Sequence, residues 1–168
     1  EPTNEDGTWV WQKNYPLLGF ETELHGKRDN GLHVEMYVSK VSGLDQFNNF
    51  MWYDGQHDAD NGVWYFYERG VDGPVLQIDW ARASATDKDL VFTAVKQGVD
   101  TYGDSISYSL DGTTASMTLH DAINAQGVEA TFSVEWSTED GSGMMVGADS
   151  QTYCWDTLTN GQVDIPCP

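Results

Sequence analysis

The chain has 168 residues, of which 39% are hydrophobic and 12% aromatic, and its 27 acidic against 8 basic side chains give a net charge of −19. A chain of this length suits one domain able to bury about two thirds of its unfolded surface, and its composition is that of a folded protein, not a disordered one. So acidic a surface repels phosphate backbones and anionic headgroups, which excludes nucleic acid as a partner and favours cations or neutral polar ligands.

Residues 1–7, Glu-Pro-Thr-Asn-Glu-Asp-Gly, are polar and turn-rich, and the chain opens without methionine. The expectation is a flexible spacer behind a removed export signal, followed by a single β domain over residues 8–168. No apolar run approaches the roughly 18 residues of a spanning helix, so membrane insertion is not expected.

Beyond the spacer, short runs rich in Val, Ile, Thr and aromatic residues alternate with period two between Gly, Asn and Asp turns, the pattern of an antiparallel meander. The clearest are Leu18–His25, Leu32–Val38, Val63–Glu68, Val75–Ala81, Leu90–Lys96, Ser105–Leu110, Thr114–His120, Ala130–Trp136 and Met144–Ala148. Asp111-Gly112, between two alternating runs, predicts a tight hairpin. Helix has support only at Ser42–Met51, where Leu44, Phe47 and Met51 share a helical face, in competition with a strand through Phe50-Met51-Trp52-Tyr53. The fold class expected is all-β: an antiparallel sandwich or up-and-down barrel of about nine to eleven strands with at most one short helix.

The first hairpin carries the most chemistry. Alternation separates Phe20, Thr22 and Leu24 from Glu21, Glu23 and His25, and Val34, Met36 and Val38 from His33, Glu35 and Tyr37. Opposed residues face the same way, so only a loop with an odd number of residues keeps the two faces pure. A five-residue loop Lys27–Gly31 would set His25 against His33, Glu23 against Glu35 and Glu21 against Tyr37. Directly opposed carboxylates need a cation, a shared proton or a basic neighbour. Glu23, Glu35, His25 and His33 are therefore candidate ligands for zinc, and Glu23 with Glu35 a candidate catalytic pair for glycoside hydrolysis. The competing reading is a solvated outer face.

Asp54, Asp58 and Asp60 crowd one loop and are candidate calcium ligands, although Gly62 stands where an EF-hand would place its third oxygen. In Val63-Trp64-Tyr65-Phe66-Tyr67 both faces of a strand are aromatic, so one row, Tyr65 with Tyr67 or Trp64 with Phe66, is available to a ligand. Planar rings beside carboxylates and amides grip sugars, the rings stacking on the pyranose face. Tyr37 joins Trp64, Tyr65 and Tyr67 as a candidate binding residue, whereas Trp80, Phe132 and Trp136 read as core.

Cys154 and Cys167 close a loop without lysine or histidine, which points to a structural disulfide tying down the tail Gly161–Pro166. Such a bond, with no Asn-x-Ser/Thr sequon in the chain, fits an exported protein that is periplasmic, cell-surface or extracellular. No His-Glu-x-x-His, Cys-x-x-Cys or phosphate-binding loop occurs. The sequence thus favours a ligand-binding domain without catalysis, taking a neutral glycan or other polar molecule. The alternatives are a carboxylate or metal hydrolase centred on Glu23 and Glu35, or a structural envelope protein.

Overall fold

The computed structural model describes residues 3–122, 129–156 and Cys167. The fold is all-β and antiparallel, with thirteen strands and no helix among the described residues. The chain forms two compact units, Glu1–Gln77 and Ile78–Pro168.

The first unit holds β1 (Thr3–Glu5), β2 (Thr8–Tyr15), β3 (Phe20–Arg28), β4 (Leu32–Lys40), β5 (Phe47–His57) and β6 (Asn61–Tyr67), paired in chain order. β7 (Pro74–Ser84) carries the chain from this unit into the next. The second unit continues with β8 (Asp87–Ala94), β9 (Ser105–Asp111), β10 (Thr114–Asp121), β11 (Ala130–Ser137), β12 (Gly143–Val146) and β13 (Thr152–Trp155), again in chain order. The tight hairpin expected at Asp111-Gly112 joins β9 to β10, with Asp111 opposite Thr114 and Gly112-Thr113 as its two turn residues. Within the segment expected as a spacer, Thr3–Glu5 pairs with Thr8–Val10 across the Asp6-Gly7 turn.

Ser42–Met51 is not helical. Phe47 begins β5, so the strand through Phe50–Tyr53 prevails. The reason lies in the partner: Phe47, Phe50 and Met51 stand opposite Lys40, Val38 and Tyr37 of β4, and this ladder satisfies their backbone where a short isolated helix would be marginal.

In each unit one sheet face is apolar. In the first, Trp11, Leu24, Met36, Tyr53 and Phe66 line up across β2 to β6. In the second, Phe92, Ile106, Leu119 and Phe132 do so across β8 to β11. The large buried core expected from chain length is absent: among the described residues only Val34, Ala115 and Cys154 are buried hydrophobics. Trp80, Phe132 and Trp136, read as core, are half-buried. Apolar side chains here are covered laterally by their cross-strand neighbours. Rings stand against rings, as in Tyr53 with Phe66 at 5.4 Å and Tyr108 with Trp136 at 6.1 Å between centroids, or lie over a bare glycine, as Trp64 does over Gly55.

Cys154 and Cys167 form a disulfide with Cα atoms 5.3 Å apart. The tail Gly161–Pro166 lies outside the described residues.

Candidate functional site

The polar face of the first unit gathers most of the candidate residues. Odd parity holds for the β3–β4 loop, but its length is three residues, Asp29–Gly31, not five. Asn30 at φ 49° and Gly31 at φ 129° occupy left-handed conformations, and the Asp29 amide donates to the Gly31 carbonyl at 3.0 Å. This is the compact hairpin in which a positive-φ residue restores the strand twist. The consequence is a register two residues away from the one expected. His25 opposes Glu35, Glu23 opposes Tyr37 and Glu21 opposes Ser39. Glu23 and Glu35 share a face without standing directly opposite each other, which removes the like-charge pairing that the longer loop would impose.

Each carboxylate on this face has its own donors. Glu23 Oε1 accepts from His25 Nε2, and its Oε2 accepts from Gln12 Nε2 at 2.7 Å. These bonds, that from His25 first, hold Glu23 below its ordinary pKa of 4.5. Glu35 accepts from the Tyr37 hydroxyl at 3.0 Å and meets His33 Nε2 at 3.2 Å. Asp54 accepts from the Tyr67 hydroxyl at 2.7 Å. Burial, and then the bond to Glu35, push the Tyr37 phenol up to about 12. Burial and the bond to Asp54 do the same to Tyr67.

Beside this network lies a cleft of about 470 Å³. β2 supplies Gln12, Lys13 and Asn14 to its wall, and β3 supplies Glu21, Thr22 and Glu23. Tyr37 and Ser39 come from β4, and Asn48 and Asn49 from β5. The last two arrive through a bulge. The β4–β5 register shifts between Val38 and Lys40, so that Ser39 meets both asparagines: its hydroxyl donates to Asn48 Oδ1 at 3.0 Å and accepts from the Asn49 amide at 2.8 Å. Bulges re-aim side chains in this way.

The candidates do not all converge. Tyr37 lines the cleft, and Tyr65 shares its face, opposite Asp54. Trp64 is on the opposite face, against Tyr53 at 5.5 Å and His57 at 5.7 Å between ring centroids. Asp54 belongs to the sheet face, while Asp58 closes the β5–β6 turn, its Oδ1 accepting the amides of Asp60 and Asn61 at 2.8 Å each. Those amides depress its pKa. Among the described residues no three His, Cys, Asp or Glu side chains are grouped so as to hold a metal ion.

Gln12, Asn14, Ser39, Asn48 and Asn49 were not singled out from the sequence. For Gln12 and Asn14 the signal was present, because Thr8–Tyr15 alternates Trp9, Trp11 and Tyr15 with Val10, Gln12 and Asn14. No protein-family model, curated protein or solved structure matches this chain.

Proposed function

We propose that the protein is a binding module, without catalysis, for a polar hydroxyl-bearing ligand of the glycan class, held in the β2–β5 cleft of its first unit. The observation that carries this reading is the cleft lining itself: four side-chain amides, two carboxylates, a lysine, a serine, a threonine and one tyrosine ring in about 470 Å³, the volume of a small-ligand site. Amides and carboxylates match sugar hydroxyls in both hydrogen-bonding senses, and Tyr37 offers the ring on which a pyranose stacks. The Cys154–Cys167 disulfide supports an exported protein that meets its ligand in an oxidising compartment.

The test is a glycan array followed by titration calorimetry on the wild type and on Tyr37→Ala and Asn14→Ala. Binding to a defined subset of glycans is expected, weakened about tenfold or more by either substitution, which corresponds to roughly 1.4 kcal/mol. A flat array, or affinities unchanged in both variants, would refute the reading.

A further inference from the structure

Among the described residues the three most exposed large hydrophobic side chains are Leu17, Leu44 and Leu18, at 100, 86 and 68%. All three stand at one end of the first unit. Leu17 and Leu18 form the β2–β3 turn with Pro16 and Gly19, and Leu44 lies in the β4–β5 turn with Val41, itself exposed. The Val41 amide donates to the Gly19 carbonyl at 2.9 Å and ties the two tips together. Turns are ordinarily the polar parts of a sheet, so four aliphatic side chains on joined tips call for an apolar partner.

The row of residues immediately behind the tips is of a different kind. Tyr15 pairs with Phe20, Phe20 with Lys40 and Lys40 with Phe47, one row across β2 to β5. Arg69, from the β6–β7 turn, stands 4.6 Å from the centre of the Phe47 ring. It also donates to the carbonyl of Asp45, the single acid of the two tips, at 3.3 Å. Aliphatic tips backed by a belt of aromatic rings and cations follow the order in which a lipid layer passes from acyl chains to headgroups. The footprint argues the same way. Four side chains fall far short of the roughly 20–30 residues a side of a stable protein interface, whereas a lipid layer accepts each protruding side chain by itself. With a net charge of −19 the chain is repelled by an anionic surface. We propose that the first unit docks on a zwitterionic lipid layer through its β2–β3 and β4–β5 tips. Leu17, Leu18 and Leu44 enter the acyl boundary, and Lys40 and Arg69 meet the phosphates.

The experiment is sedimentation of the full chain with phosphatidylcholine vesicles at about 0.15 M salt, where the charge of the chain is screened beyond roughly 8 Å. Leu17→Ser/Leu44→Ser is compared with the wild type and with Val99→Ser, which alters an exposed apolar residue of the second unit. The wild type and Val99→Ser should pellet with the vesicles alike, and the double substitution should lower the partition coefficient about tenfold or more. Leu17 and Leu44 are too exposed for their loss to unfold the chain, which circular dichroism verifies. Lys40→Gln/Arg69→Gln should weaken the partition by a smaller factor. No sedimentation with the vesicles, or equal partition of the wild type and the double variant, would overturn the proposal. So would a concentration-dependent dimer in sedimentation velocity that disappears in the double variant, because the tips would then cover one another.

Discussion

Tyr37 and Tyr67 each give a phenolic proton to a carboxylate, Glu35 and Asp54 respectively, and this makes their ionisation a stability event. A phenolate would lose that bond and face a negative neighbour across the same few ångströms. Both groups accordingly titrate near 12 in the folded protein against about 10 when free. For a group raised on folding, the unfolded chain releases its proton first. The contribution of these hydroxyls is therefore complete below pH 10 and is lost as pH rises from 10 toward 12. The urea midpoint of the wild type should fall steeply across that window while tyrosinate absorbance rises with it. In Tyr37→Phe/Tyr67→Phe the alkaline fall should be visibly shallower. An identical alkaline limb in both proteins would show that these two phenols are not tied to the fold.

Between elements, stability depends on rings lying over glycines. A methyl group at Gly55 in β5 would sit 2.6 Å from Trp64 Cε3 and 2.9 Å from the Val63 carbonyl. Backbone cannot yield there, so Gly55→Ala should cost about 1–3 kcal/mol through displacement of the indole and parting of β5 from β6. Gly26 in β3 makes the contrast: its nearest neighbour would be Trp11 Cζ3 at 3.1 Å, on a side chain 42% exposed and able to swing aside. Gly26→Ala should stay within about 0.5 kcal/mol of the wild type, since the lower entropy of the unfolded chain offsets a mild contact. Urea denaturation of the two variants side by side decides the matter, and equal losses would contradict it. The same elements show what was legible beforehand. Period-two alternation marked β3, β4 and β6 to β12 because each strand has one apolar and one polar face. β5 was ambiguous because its register with β4 shifts twice, and each shift moves following side chains to the other face. The β3–β4 register escaped because loops of three and five residues preserve facial parity equally well, and the cleft escaped with it, since its walls depend on which residues of β3 and β4 stand opposite each other.

Over the whole molecule, charge works against compactness. With 27 acids and 8 bases in 168 residues, folding brings carboxylates closer together than the extended chain holds them, and the mutual repulsion is destabilising at neutral pH. Among the described hydrophobic side chains only Val34, Ala115 and Cys154 are fully buried to set against it, the rest being half-buried or exposed. Local hydrogen bonds soften the repulsion where acids are close, as His25 and Gln12 do at Glu23, but eight cations cannot reach most of the acidic surface. Screening should therefore stabilise the protein. Between about 0.01 and 0.15 M sodium chloride the Debye length falls from roughly 30 to 8 Å, shorter than most separations between surface acids, while too little salt is present to act through solvent exclusion. The thermal midpoint should climb through this range at pH 7 and then level off, and potassium chloride should reproduce the curve. A midpoint that is flat or that falls would mean that favourable pairs, and not repulsion, dominate the electrostatics of this sheet.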